Sequence, residues 1–335
     1  IKQAPIELMK ISIIIVTFNR RELLENLLHS IIQPALIDST KHSFEILVMW
    51  NGVDETKKLI ESLFPYIKGH EKGHGTPAEA RNILISKAEG DYLLFLDDDV
   101  LLPATYWETA FQYLDKKLDV FGGPDGPYPE IDDNERALTL ALTSPLATAN
   151  TRYRHSSNGQ TEPSETCEKK LILCNLWIKS SLLKQHYLKF DKRFFRNEEN
   201  VLLFQLQSLG KKMLYIPKLS VGHKKKADYR YFIRAVMKSG YYRTKSFVAF
   251  PRSIDILYFV PSLFVIYLFL LLLFPTKVMC LPLLVYLFLN LIFTARIVSL
   301  SKCWSLFPRI FTNQLLINIF YGIGFLLGFL PKINL

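Results

Sequence analysis

The sequence predicts an α/β protein, a mainly parallel sheet with helices on both faces, followed by a membrane region. Three observations predict it. Short, β-branched apolar runs alternate with helix-length amphipathic stretches. Polar and acidic residues recur directly after those runs. Beyond residue 255 the chain holds three long apolar segments with no charged residue.

Residues 11–16 (ISIIIV) form a nearly continuous β-branched run, the pattern of a strand covered on both faces. Asn19 then opens a helical pattern in which Leu23, Leu24, Leu27, Leu28 and Ile31 share one side. A second strand, 44–49 (FEILVM), runs into WNGVDET, rich in turn and helix-start residues. A helix over 77–87 precedes the third strand at 92–96. Further on, LDVFGGP (118–124) and KKMLYIP (211–217) read as strands and 198–209 as a helix. The polar, Ser- and Thr-rich stretch 150–168 reads as a mobile loop over the site. In open α/β sheets ligands gather at the carboxyl ends of strands. Here those ends carry Thr17 and Asn19, then Asn51, then Asp97, Asp98 and Asp99.

The net charge of +10 is unevenly spread: residues 1–216 carry −3, 217–253 carry +9, and 254–335 carry +4. The globular part is therefore mildly acidic, which excludes nucleic acid as the expected partner. Segments 256–274, 278–295 and 310–330 have the length and composition of membrane spans, although Asn313, Gln314 and Asn318 interrupt the third. The expected organisation is a globular domain over 1–223, a basic aromatic juxtamembrane segment over 224–253, and a membrane region over 254–335. The basic collar before the first span, and Arg296, Lys302 and Arg309 between the second and third against Lys277 alone between the first two, place the globular domain in the cytoplasm. The tail after Pro331 is then outside. The stretch 229–247 (YRYFIRAVMKSGYYRTKSF) reads either as a helix among lipid headgroups or as an ordinary surface helix. IKQAPIELMK has no apolar run like a signal peptide. Four cysteines without a short-spaced pair argue against zinc and suit a reducing compartment.

Adjacent carboxylates repel, and they prefer to share a proton or hold a cation. Asp97 and Asp99 at alternate positions of a tight turn would offer hard oxygens to Mg²⁺ or Mn²⁺. The competing reading is a solvated acidic turn that caps a helix. Three aspartates directly after a buried LLFL favour the cation.

IIIVTFNR, EILVMWNG, GTPAEARNILISKAEGDYLLFLDDDV and NEENVLLFQLQSLGKKMLYIP occur in the order and spacing of family 2 glycosyltransferases. Over residues 11–223 the chain resembles that family, most of all its membrane-anchored members that build bacterial surface polysaccharides, the succinoglycan type among them. The resemblance implies a GT-A, Rossmann-like fold and an integral protein of the bacterial cytoplasmic membrane. It also implies inverting, divalent-cation-dependent transfer of one sugar from a nucleotide-sugar donor, UDP being the commonest, to a lipid-linked glycan. On this chain it assigns Thr17, Asn19 and Arg81 to the donor nucleotide, and Asn51, by its place at a strand end, is expected beside them. Asp97 falls near the ribose and on the metal, Asp99 on the metal, and Asp98 between them with either role. His223 matches a late histidine that completes some metal shells; a lone histidine is also commonly structural.

Family members show a Glu-Asp pair where this chain has Glu198 and Glu199, and the second acid is the base that deprotonates the acceptor hydroxyl. The carboxylate is kept on an arm one methylene longer, while Val201 and Gln205 replace an acid and an arginine of the following helix. Two glutamates in a first helical turn are equally explained by the helix dipole. Trp50 stands where the family has an acid; Asn51 beside it can hydrogen-bond and Trp50 can stack on a ring. The absence of an Arg-Trp dipeptide disfavours a processive synthase, and TFNRREL lacks the Gly-rich loop of a nucleotidyltransferase. A polyprenyl-phosphate glycosyltransferase and an inactive membrane-anchored binding or scaffold protein remain as alternatives.

Overall fold

The computed structural model describes residues 8–35, 42–52, 55–71 and 75–331. Val53 and Asp54 of the WNGVDET turn, and the tail beyond Pro331 expected outside the membrane, lie outside the described residues. The chain divides into two compact units, one made of residues 1–129 and 156–224, the other of 130–155 and 225–335.

In the first unit β1 (Met9–Thr17), α1 (Arg21–Ala35), β2 (His42–Trp50), α2 (Thr56–Leu63), β3 (Lys68–Glu71), α3 (Pro77–Lys87) and β4 (Tyr92–Asp97) follow the expected alternation. The short edge strand β3 is an addition; KGHE has none of the apolar run by which strands were recognised. After β5 (Val100–Leu101), α4 (Tyr106–Leu114), β6 (Val120–Gly122) and β7 (Asp125–Pro127), the chain makes α5 (Asp133–Leu142) and α6 (Pro145–Thr148) in the second unit. It returns as β8 (Ser164–Thr166), β9 (Leu176–Lys179), α7 (Ser180–Gln185), α8 (Glu198–Ser208), β10 (Met213–Tyr215) and β11 (Val221–His223). The main sheet runs β3-β2-β1-β4-β9-β6-β10-β8, and β5-β11-β7 form a small second sheet. Four of the seven pairings in the main sheet are parallel, and β9 lies antiparallel to both its neighbours.

Within the stretch expected as a mobile loop, two short pieces take regular structure. Ala149–Arg154 is a 3-10 turn, and β8 pairs antiparallel with β10 at the sheet edge. A three-residue Ser-Glu-Thr strand has no periodicity to reveal it.

Leu24, Leu27, Leu28 and Ile31 of α1 are buried against Ile11, Ile13 and Ile15 of β1, and burying each such side chain contributes about 1.5–3 kcal/mol. Trp177 of β9 stacks on Phe121, with ring centroids 5.2 Å apart, and its Nε1 donates to the Tyr106 hydroxyl at 3.0 Å. That hydroxyl donates to Asn175 Oδ1 at 2.7 Å, and Asn175 Nδ2 donates to Leu219 O at 2.6 Å. The buried polar groups are thus paired in a chain that ties α4 and β9 to the segment leading into β11.

The second unit gathers α5 and α6 with α9 (Tyr229–Ala249), α10 (Val260–Leu273), α11 (Lys277–Ser301) and α12 (Phe307–Leu327). Stretches Ile256–Leu273, Lys277–Ser301 and Trp304–Leu327 are long and apolar enough to cross a membrane. The three amides that interrupt the third are buried, and Gln314 and Asn318 are paired. Gln314 Nε2 donates to Thr294 Oγ1 at 2.8 Å, Gln314 Oε1 accepts from Ser144, and Asn318 Nδ2 donates to Leu146 O at 3.1 Å. An amide in apolar surroundings needs such partners, so these residues are cross-links between helices. Pro282 inside α11 disturbs the local backbone ladder. The Tyr267 hydroxyl enters there, donating to Met279 O at 2.6 Å and accepting from Leu283 N at 3.0 Å. Gly324 and Gly328 serve packing within the chain: a Cβ on Gly324 would lie 2.0 Å from Met237 O of α9, and one on Gly328 would lie 2.4 Å from Thr244 Cβ.

Candidate functional site

Parallel register builds the site. Val16 of β1 is aligned with Asp97 of β4, and Thr17 with Trp50 of β2, so three strand ends finish at one edge. Asn51 N donates to Thr17 O at 3.2 Å. Asn19 adopts a left-handed backbone (φ 52) and lies so close to Gly52 that a Cβ there would meet Asn19 Oδ1 at 2.1 Å. Trp50, expected as a stacking surface, is 8% exposed and belongs to the hydrophobic core. Phe18 is the exposed aromatic at this edge, at 62%.

The three aspartates divide. Asp98 turns inward: it accepts from Thr17 Oγ1 at 2.7 Å and from Arg20 Nη1 at 2.8 Å. Burial, reinforced by the Asp99 charge, pushes it up to about 6 against the pull of Arg20 and Thr17. Asp99 accepts from the same Arg20 nitrogen at 2.5 Å. Burial would raise Asp99, but His223 and Arg20 outweigh it and hold the carboxyl below its usual range. Asp97 is the most open of the three and accepts from Arg81 Nη2 at 3.1 Å.

The small sheet delivers the histidine. β5 follows directly on the Asp98-Asp99 turn and pairs His223 of β11 with Val100, while β7 on the other side brings Asp125. His223 Nδ1 lies 2.6 Å from Asp125 Oδ2, and Nε2 lies 3.2 Å from Asp99 Oδ1. Asp125, Cys174 and His223 offer donor atoms all within 4.8 Å of one another. Burial pushes the Cys174 thiol up to about 12, despite His223, which keeps it protonated, and Asp125 engages Nδ1. The trio is therefore suited to orienting the histidine, with Nε2 directed to Asp99.

Asp99 Oδ1 is buried and accepts no hydrogen bond, its contact with Nε2 lying outside hydrogen-bonding geometry. An orphaned carboxylate oxygen beside an imidazole nitrogen and the half-buried Asp97 carboxylate makes a set of donors that fits a divalent cation such as Mg²⁺ or Mn²⁺.

On the opposite side, α8 starts from Asn197, itself left-handed (φ 63), and presents both glutamates in its first turn. Arg81 of α3 joins this turn to β4: Nη1 donates to Glu198 Oε1 at 2.8 Å while Nη2 holds Asp97. Burial raises Glu198 to about 7, against the pull of Arg81. Glu199 accepts from Asn200 Nδ2 at 2.8 Å. Arg81 also lies 5.8 Å from the centre of the Phe190 ring.

Among the sequence-derived residues, direct contacts therefore link Thr17 with Asp98, His223 with Asp99, and Arg81 with both Asp97 and Glu198. Asn19 and Asn51 belong to the neighbouring strand ends and Glu199 to the α8 turn. Sequence reasoning missed Arg20, Asp125 and Asn200. For Arg20 a signal existed, since three buried-side carboxylates require a cation and TFNR places one two residues beyond Phe18. For Asp125 the acid-glycine turn after GGP was visible, but its partner is 98 positions away.

Comparison with known proteins bears on the family and the fold. The family model described as glycosyl transferase family 2 matches residues 12–172. The poly(ribitol-phosphate) β-N-acetylglucosaminyltransferase TarS of Staphylococcus aureus is 28% identical over 114 residues, 32% of this chain and 19% of TarS. The teichoic acid poly(glycerol phosphate) polymerase of Staphylococcus epidermidis is 27% identical over 192 residues, 55% of this chain and 24% of that protein. The chain thus spans about a fifth to a quarter of the curated relatives it matches. Among solved structures, the mannosyltransferase PcManGT from Pyrobaculum calidifontis, in complex with GDP-Man and Mn²⁺, superposes with a TM-score of 0.59 at 14% identity, covering 96% of this chain and 88% of that one. This likeness shows a shared fold.

Proposed function

We propose, from the premise that the chain carries a glycosyl transferase family 2 domain over residues 12–172, that it moves a single sugar from a nucleotide-sugar donor to a hydroxyl of a membrane lipid-linked glycan, with inversion at the transferred carbon. The observation that carries the reading is the Arg81 bridge, which ties Asp97 of the donor side to the Glu198-Glu199 turn of the acceptor side. Surface-polymer synthesis is the setting proposed, in keeping with the names of TarS and the teichoic acid polymerase. UDP is the donor nucleotide proposed. The three apolar helical stretches anchor the chain in the bacterial cytoplasmic membrane with the sheet domain in the cytoplasm.

In this mechanism Asn19 and Asn51 hydrogen-bond the nucleoside while Phe18 lies against its base. Thr17, Arg20 and Asp98 brace the turn from below, fixing the direction of Asp99. Asp97, Asp99 and the Nε2 of His223 would hold a divalent cation, which when bound neutralises charge on the departing diphosphate. Both glutamates are buried; Glu198 is engaged by Arg81, so the base in this reading is Glu199, which accepts from Asn200. Glu199 takes the proton of the acceptor hydroxyl as its oxygen bonds to the anomeric carbon and the bond to the diphosphate breaks on the opposite face.

The test is to incubate membranes holding the full chain with a panel of nucleotide sugars, Mn²⁺ and lipid-linked acceptors. Transfer is expected with one donor, and Glu199→Gln lowers it by about 10²–10⁴-fold with donor binding kept. Tight donor binding without turnover on any acceptor would instead favour a binding protein. Normal turnover in Glu199→Gln would remove the assignment of the base.

A further inference from the structure

We propose that residues 184–196 form a docking surface for an acceptor that carries regularly spaced anionic groups along its glycan or polyol chain. This rests on the reading above, since the surface is assigned to the acceptor of that transfer.

The charge contrast is local. This stretch of 13 residues has five basic side chains and one acid, a net +4, although residues 1–216 as a whole carry −3. Asp191 engages Arg193 in a bidentate pair, with Nε 3.0 Å and Nη2 2.6 Å from Oδ2. Lys184, Lys189 and Lys192 are exposed to solvent, as is Tyr187 at 90% and Phe195 at 49%.

The surface is fastened to the site. Phe190 N donates to Asn82 Oδ1 at 2.9 Å and Asn82 Nδ2 returns a bond to Phe190 O at 2.8 Å. The Phe190 ring packs on Phe95 of β4, with centroids 5.3 Å apart, and beneath the Arg81 guanidinium that holds Asp97 and Glu198. The lysines therefore flank a residue that is itself packed against the Arg81 bridge, and the stretch feeds directly into the α8 turn with Glu199.

The backbone bears the mark of a constrained segment. Tyr187 (φ 53), inside it, and Asn197 (φ 63), directly after it, are both left-handed. For tyrosine, unlike asparagine, that conformation is unusual and costs energy. Its consequence is an almost fully exposed aromatic ring between Lys184 and Lys189. A flat apolar ring among point charges suits a chain that alternates carbon-rich faces with anions. A neutral glycan would gain nothing from the lysines, and charge complementarity of this kind chiefly sets encounter rate and partner choice.

The test uses the full chain in detergent and three fluorescent probes of equal length: a glycerol-phosphate oligomer, an oligogalacturonate and a neutral dextrin. Equilibrium binding is read at low and high salt, with donor hydrolysis in the absence of acceptor as a separate readout. At least one anionic probe is expected to bind about tenfold more tightly than dextrin, with the difference shrinking at high salt. The phosphate and carboxylate probes distinguish the source of the anion. The triple variant Lys184→Glu, Lys189→Glu, Lys192→Glu should remove the preference, its Gln counterpart should reduce it, and Tyr187→Ala should weaken all probes. Donor hydrolysis should stay unchanged in each. Equal binding of dextrin and both anionic probes, or an unaltered preference in the triple variant, overturns the proposal. So does a loss in the triple variant of binding to anionic vesicles alone. Loss of donor hydrolysis in the wild type, with the charge preference intact, would count against the transferase reading and leave the surface standing.

Discussion

Arg81 and Glu198 are joined at 2.8 Å across 117 positions of sequence, and each side chain is nine-tenths buried. The same guanidinium reaches Asp97. A buried carboxylate without a cation is costly, so this one arginine reconciles a strand end and a helix start that would otherwise repel.

Arg81→Ala should destabilise the domain, and more so at alkaline pH. Glu198 has its folded value raised from 4.5 to about 7 by burial, even with Arg81 present. A carboxyl so raised favours the folded state below its unfolded value and loses that advantage as pH climbs through the folded one. Removing Arg81 lengthens the climb. Thermal melts should show the variant losing about 1–3 kcal/mol at pH 6 and more at pH 8.5. An equal loss at both would mean that Glu198 is not charged in the wild type.

Asp125→Asn should weaken cation binding while leaving the ligand atoms in place. Asp125 engages Nδ1 of His223 and thereby directs Nε2 to Asp99. Loss of such an orienting carboxylate typically costs 10–100-fold in metal affinity. Titration with Mn²⁺, followed by its electron spin resonance, measures this without turnover, and Asp99→Asn should abolish the tight site. Unchanged affinity in Asp125→Asn would take His223 out of the cation's surroundings.

Of the first elements of the sheet domain, β1, α1, β2 and β4 were legible because each buries a long apolar run or stripe. Residues 77–87 came out as a helix with those bounds because a Thr76 cap, Pro77 and Glu79 mark its start. β3, β5, β7, β8 and β11 were not legible. They are two to four residues long, and their pairing depends on distant strands rather than on their own pattern. The same holds within the site. Asp97, Asp98 and Asp99 announce themselves by adjacency, but which faces inward is decided by Thr17 and Arg20, some 80 positions earlier. Trp50 illustrates the converse, since an aromatic at a strand end can point either way and here the core takes it. The assignments of Arg81, Glu199 and His223 came from family resemblance, which carries information that composition and spacing lack.

Gly324→Val should separate α9 from α12. A Cβ at this position would fall 2.0 Å from Met237 O, a backbone atom that cannot rotate away. Overpacking of this kind costs about 1–3 kcal/mol. The Thr244 Oγ1 to Phe325 O bond at 2.7 Å, made by the residue after Gly324, belongs to the same helix contact and should be lost with it. Limited proteolysis should then cut within 229–249 in the variant faster than in the wild type. Equal cutting would show that the two helices do not depend on the glycine contact.

Glu45→Gln should make the sheet domain less stable at neutral pH but no less stable in acid. Glu45 is buried across the β1-β2 pair, where Oε1 accepts from Ser12 Oγ at 2.5 Å and from Glu89 N at 2.7 Å, and Oε2 accepts from Lys68 Nζ at 2.7 Å. Burial alone would raise its pKa, but the bonds from Lys68, Ser12 and Glu89 and the Lys10 charge together bring it below 4.5. A depressed carboxyl contributes stability that is fully present above its unfolded value and is lost as pH falls through the folded one. Glutamine keeps an acceptor for Ser12 but turns an amide toward Lys68, so the charge contribution disappears at every pH. Urea unfolding at pH 7 should therefore show a lower midpoint for the variant, and the gap should close as pH falls through the lowered folded value and the wild-type carboxyl becomes protonated. Lys68→Ala should move the neutral midpoint the same way by less, because the lysine side chain is nearly half exposed and water screens its pair. A gap that persists unchanged in acid would assign the loss to shape and packing at position 45 rather than to its charge.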